Sequence, residues 1–145
     1  MKIMFVCTGN TCRSPMCEAM LRHRLHLLGR DDIAVGSCGL SAQEGAPASP
    51  NAVLALAELG IDLTAHRARQ ATPALLADAD RILCMSEMHL TLLALLAPEA
   101  APRAALLGRG VSDPFGGDLD EYRAARDIIS RELTLLIEEL TGQKG

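Results

Sequence analysis

Apolar residues fall along this chain in blocks of two different periods, and polar residues punctuate them. Met1 to Val6 is a short, nearly continuous apolar run that stops at Thr8-Gly9-Asn10, as a buried strand would. Met16, Ala19, Met20, Leu27 and Leu28 then recur at helical spacing up to Gly29, with Ser14 as the expected N-cap and Pro15 in the first turn. Ile33 to Cys38 reads as a second strand, followed by a loop rich in Gly, Ser and Pro up to Pro50. Asn51 to Leu59 reads as a helix closed by Gly60. Ala79 to Met85 predicts a third strand, Ser86 to Leu96 a helix, and Ala104 to Leu107 a fourth strand. After a loop over Gly108 to Gly117, Asp118 to Leu140 forms a long closing helix. Its Ile129, Leu133, Leu136, Ile137 and Leu140 share one face.

Strands alternating with helices predict an α/β fold: a three-layer sandwich with a four-stranded parallel sheet and helices on both faces. No repeat, low-complexity tract or linker interrupts the pattern, so 1–145 is read as a single domain. In such sheets ligands gather at the carboxyl ends of the strands, and Cys7 stands at that end of the first.

Composition narrows the function. A net charge of −4 argues against a nucleic-acid partner, which normally meets a basic face. The longest apolar stretch, Leu90 to Pro98, is too short to span a bilayer, so no membrane role is expected. Lys2 is followed only by a short strand, not by a secretory signal. With Cys7, Cys12, Cys17, Cys38 and Cys84 making an odd count, free thiols and a cytoplasmic location are expected. Aromatics are scarce: Phe5, Phe115 and Tyr122, with no Trp.

The segment Cys7-Thr-Gly-Asn-Thr-Cys-Arg13 carries the chemistry. Backbone N–H groups of a tight loop form a nest for a phosphate-like anion, and the helix that follows aims its positive end at the same spot. Arg13 offers a planar fork for two anion oxygens. These positive surroundings favour a thiolate, so Cys7 is expected to be nucleophilic at neutral pH, with Ser14 donating a hydrogen bond to it. Gly9 allows close approach, and Asn10 tolerates left-handed geometry. The same residues also fit an ordinary turn; the strand before and the helix after favour the anion loop. Far downstream, Ser112-Asp-Pro-Phe-Gly-Gly117 offers Asp113 as a general acid, or simply a surface turn.

Taken together, FVCTGNTCRSPM, GSCG, LTAHRARQ, DRILCMSEMH and DPFGG resemble the low-molecular-weight protein-tyrosine phosphatase family over nearly the whole chain. The resemblance implies Cys7 as nucleophile, Arg13 as phosphate clamp and Asp113 as general acid. Thr8, Gly9, Asn10, Thr11, Cys12, Ser14 and Phe115 are expected around the substrate, and Asn10, Ser14, Ser37 and His66 as supports of the loop. Phosphorylated proteins are the expected partners, a free oxyanion the expected occupant of the loop, and a monomer the expected state.

Two positions depart from the tyrosine-specific pattern. Thr11 stands where those enzymes carry an aliphatic residue, and Phe115-Gly116 where they carry paired aromatics. CTGNTCRSPM with DPFGG is instead similar to the protein-arginine phosphatase branch, which cleaves the P–N bond of phosphoarginine. A guanidinium can stack on Phe115 and pair with Asp113. Phosphoarginine is the expected substrate, with phosphotyrosine as the alternative. Arsenate reduction is less favoured because no cysteine follows Cys84 to complete a disulfide relay. A non-catalytic phosphate-binding module leaves nucleophile and acid without a use.

Cys12, in the same loop as Cys7, is the expected redox partner. Cys17, Cys38 and Cys84 read as core residues. His23, His26, His66 and His89 form no metal pattern with the cysteines, and neither metal nor cofactor is expected. His23 and His26, with Arg22, Arg24 and Arg30, read as a solvated helix face.

Overall fold

In a computed structural model, described over residues 1–142, the sheet has the order β2-β1-β3-β4 with every pairing parallel. The strands are β1 (Lys2–Cys7), β2 (Ala34–Gly39), β3 (Arg81–Cys84) and β4 (Ala104–Leu106). The helices are α1 (Arg13–Leu27), α2 (Pro50–Ala57), α3 (Pro73–Ala77), α4 (Glu87–Leu96) and α5 (Leu119–Thr141).

Alternation along β1 explains the layers. Ile3, Phe5 and Cys7 point to one face and pack with Met16, Met20, Leu21, Leu25, Leu56, Ile129, Leu133 and Ile137 of α1, α2 and α5. Met4 and Val6 point to the other and pack with Leu76 of α3 and Leu93 of α4. Both faces are covered, as a parallel sheet requires. Among the described residues no helix is long and apolar enough to cross a membrane.

Five details depart from the sequence reading. Helix α1 starts two residues earlier than expected, with Cys12 at its N-cap and no side-chain capping bond; Ser14 lies inside the helix and is fully buried. Tertiary demand has taken its hydroxyl elsewhere. The buried stripe of α1 runs through Met16, Cys17, Met20, Leu21 and Leu25, leaving Leu27 exposed. Helix α3 has no counterpart in the reading; Thr72 caps it by accepting the Leu75 N–H at 3.1 Å. A 3₁₀ turn over Ala101–Arg103 leads into β4. His23 and His26 are exposed as expected, but the arginines beside them have structural partners: Arg22 with Glu18, Arg24 with Ser130, and Arg30 with Asp32.

Candidate active site

β1 delivers Cys7 to the carboxyl edge of the sheet, and residues 8–12 wrap from there to the start of α1. The wrapping is enforced from outside. The carbonyl of Cys7 accepts from Leu40 N–H at 3.0 Å, that of Thr8 from Ser41 N–H at 2.9 Å, and that of Thr11 from Ser49 N–H at 2.8 Å. His66 Nε2 donates to the Asn10 carbonyl at 2.7 Å. In a planar trans peptide the next N–H points opposite the carbonyl. The N–H groups of Thr8, Gly9, Thr11 and Cys12 are therefore turned away from those partners.

Asn10 makes that wrapping possible. Its φ of 56° places it in the left-handed region, which Asn tolerates. Its side chain is fully used: Nδ2 donates to Ser14 Oγ and Ser37 Oγ, both at 2.9 Å, and Oδ1 accepts from Arg69 N–H at 2.9 Å. Ser37 Oγ, having accepted from Asn10, donates to Glu18. Ser14 Oγ, which accepts from Asn10, lies within hydrogen-bond distance of Cys7 Sγ at 2.8 Å. A buried chain of polar groups thus ends at the sulfur, with each member held by the next.

Arg13 is buried, with Nη1 donating to the Val111 carbonyl at 2.9 Å and Nη2 lying 3.5 Å from Asp113 Oδ2. Asp113 reaches this point from a tight turn whose Pro114 carbonyl accepts from Gly117 N–H at 2.8 Å. Gly116 at φ 80° supplies the positive φ that the turn needs, so Phe115 stands alone at the rim, 73% exposed. Phe115 N–H donates back to Asp113 Oδ1 at 3.0 Å. Cys7, Thr8, Gly9, Thr11, Cys12, Arg13, Asp113 and Phe115 enclose a cleft of about 160 Å³.

The structure brings together every residue singled out in sequence around this loop, and adds others. No protein atom demands glycine at position 9, where a Cβ would meet only Thr11 Oγ1 at 3.7 Å. The tight approach falls at Gly39, where a Cβ would stand 2.6 Å from the Thr8 carbonyl. A glycine ending a buried strand was the available signal. Glu18, Arg69, Ser49, Tyr122 and His89 were not read as part of the site. Ser49 Oγ and Tyr122 OH lie 3.0 and 3.3 Å from Cys12 Sγ. Burial, then the bond to Cys12, push the Tyr122 phenol up to about 12.

All five cysteines are free thiols. Burial raises Cys17 and pushes Cys38 and Cys84 up to about 12, so these three stay protonated members of the core.

A cysteine that starts the loop, a buried arginine that ends it and a carboxylate 3.5 Å from that arginine line one cleft and fit the chemistry of a cysteine-dependent phosphatase. The family described as low molecular weight phosphotyrosine protein phosphatase matches residues 2–144, and the chain belongs to it. The protein-arginine-phosphatase of Geobacillus stearothermophilus is 40% identical over 146 residues, covering 96% of this chain and 95% of its own. The probable low molecular weight protein-tyrosine-phosphatase EpsP of Ralstonia nicotianae is 36% identical over 133 residues, covering 89% and 88%. Among solved structures, the YwlE arginine phosphatase, a C7S mutant with a phosphorylated active site serine, matches with a TM-score of 0.92 at 36% identity. That match covers 97% of this chain and 95% of the other. The chain is thus a cysteine-based protein phosphatase, acting on phosphorylated protein substrates.

Proposed function

We propose that this phosphatase removes phosphate from phosphoarginine in proteins. The Cys7 thiolate attacks phosphorus, the P–N bond breaks, and Asp113 gives its proton to the departing guanidino nitrogen. A phosphocysteine remains. Water then attacks the phosphorus while Asp113 takes back a proton, releasing inorganic phosphate and restoring the thiolate. The inward N–H groups of the loop and the Arg13 fork bind the phosphoryl oxygens throughout, and free phosphate or another oxyanion binds there in the same way. Asn10, Ser14, Ser37 and His66 hold these donors in place. The enzyme acts as a monomer in the cytoplasm, where a reducing setting keeps its thiols free.

The observation that carries the arginine reading is the make-up of the rim: Thr11, a residue that bears a hydroxyl, lines the cleft together with a single ring, Phe115. A phenyl phosphate calls for apolar walls, whereas a guanidinium is served by one aromatic face and a carboxylate. Similarity along the whole chain to a protein-arginine-phosphatase supports the same choice. The similarity to EpsP keeps phosphotyrosine as the second reading. Comparing kcat/KM for phosphoarginine and phosphotyrosine in the parent and in Thr11→Ile, with Cys7→Ser as a blank, decides between them. A phosphoarginine preference that weakens in Thr11→Ile establishes the reading; a parent that prefers phosphotyrosine ends it.

Cys12 is proposed as the redox partner. Peroxide oxidises Cys7 to the sulfenic acid, which condenses with the Cys12 thiol and loses water. Cys12→Ser is then expected to recover less activity on reduction after peroxide; equal recovery removes the role.

A further inference from the structure

His89 has no part in the roles above, yet it touches the loop from inside. It stands in the first turn of α4, where its backbone N–H donates to Ser86 Oγ at 3.3 Å, and it is 1% exposed. Nε2 lies 2.8 Å from Thr8 Oγ1. Nδ1 is buried and finds no partner among the described residues. Buried N–H groups without an acceptor are rarer than acceptors without a donor, which puts the ring proton on Nε2. Burial, and then the charge of Arg13, hold the imidazole down to about 4 against the opposing pull of Asp113, so at neutral pH it carries one N–H. That N–H donates to Thr8.

A threonine hydroxyl has one hydrogen and two lone pairs. With His89 on a lone pair, the hydrogen of Thr8 is free for a different acceptor. Thr8 is exposed and lines the cleft next to Cys7, and its carbonyl is tied away from the cleft by Ser41. We propose that His89 is a positioning residue that makes Thr8 a hydroxyl donor to the anion held in the loop. Thr8 thereby adds a side-chain hydrogen bond to the phosphoryl group beyond those of the backbone. A donor set in advance, aimed where charge concentrates, stabilises the transferring group without reorganising during reaction. This inference rests on the loop from Cys7 to Arg13 being the phosphate site.

Thr8→Ser and Thr8→Val test it first, because position 8 is exposed and neither change touches the core. The readouts at pH 7 are kcat/KM for p-nitrophenyl phosphate and the inhibition constant of inorganic phosphate. Thr8→Ser is expected within about twofold of the parent, and Thr8→Val is expected to lose about tenfold in both readouts. His89→Leu is then made in the parent and in the Thr8→Val background, with folding followed by circular dichroism. It lowers both readouts about tenfold in the parent and leaves them unchanged where the hydroxyl is already gone. Equal activity of Thr8→Ser and Thr8→Val overturns the proposal, whatever the fold of the His89 variant. So does an equal loss from His89→Leu in both backgrounds. Full activity in Cys7→Ser would instead remove the phosphate-site reading itself.

Discussion

Behind Asn10 the polar side chains are dry and paired; in front of Thr11 they stand in water. Asn10 and Ser14 are 0% exposed and Ser37 1%, and each hydroxyl or amide there both serves and is served by a neighbour. Across the cleft, the Asp113 side chain is 51% exposed and the Phe115 ring protrudes into solvent. In the proposed mechanism the inner wall holds what all substrates share, a phosphoryl group, and it does so as part of the core. In that mechanism the rim meets what differs between substrates, the leaving group, and its Asp113 and Phe115 side chains stand in solvent. Damage to the wall should therefore cost stability and activity together, and damage to the rim activity alone.

The largest expected effect tests the rim. Asp113→Asn removes the proposed proton donor for the leaving nitrogen and is expected to lower kcat on phosphoarginine by about 10²–10⁴-fold. Its unfolding free energy in urea should stay within about 0.5 kcal/mol of the parent, since the side chain is half exposed. A large loss of stability would show that the rim is structural after all. Asn10→Ala tests the wall. It deletes the bonds to Ser14, Ser37 and the Arg69 N–H, and is expected to cost roughly 2–4 kcal/mol by urea denaturation and about 100-fold in kcat. Loss of activity with unchanged stability would break the comparison.

The wall should also respond to acid. His89 is held down to about 4, below the ordinary value of 6.5, by burial and by Arg13. The unfolded chain therefore binds this proton more readily than the folded one. Stability is full above about pH 6.5, falls as pH drops toward 4, and levels off below it. The fall from 6.5 to about 4 sets the loss on the order of 3 kcal/mol. Urea unfolding of the parent and of His89→Gln between pH 7 and pH 4 checks this, because carboxylates titrate alike in both and cancel in the difference. Parallel curves would refute it.

Much of this was legible in the sequence where the residues concerned are neighbours. Cys7, Asn10, Arg13 and Ser14 lie within eight positions between a strand and a helix, so one local pattern exposes them together. The four strands and four of the five helices followed from apolar patterning together with cap, Pro and Gly signals. Helix α3 did not, because five residues make little more than one turn and cannot display a helical period. Ser14 was misplaced as a cap because local propensity suggests one, while the need to reach Cys7 and Asn10 is written in the tertiary structure. His89, Ser49 and Tyr122 arrive at the loop from 37 to 110 residues away, through the packing of α4, of the segment before α2, and of α5. Nothing in their own neighbourhoods marks them. Ser37 and His66 were placed only by resemblance, and the bonds to Asn10 now give the physical reason.

The smallest expected effect is the sharpest probe of the rim. If Phe115 serves as a stacking face for a guanidinium, Phe115→Leu keeps an apolar side chain of comparable reach and removes only the ring. An exposed cation–π contact is worth about 0.5–1 kcal/mol, so KM for a phosphoarginine peptide should rise about twofold to fivefold. kcat and the urea midpoint should not move, because the ring touches neither the reacting atoms nor the core. Phe115→Tyr should behave as the parent. An unchanged KM in Phe115→Leu would mean that the ring is not a binding face. A fall in kcat would carry a different lesson: the ring would then be excluding water from the phosphoryl group, and the rim would share the work here assigned to the wall.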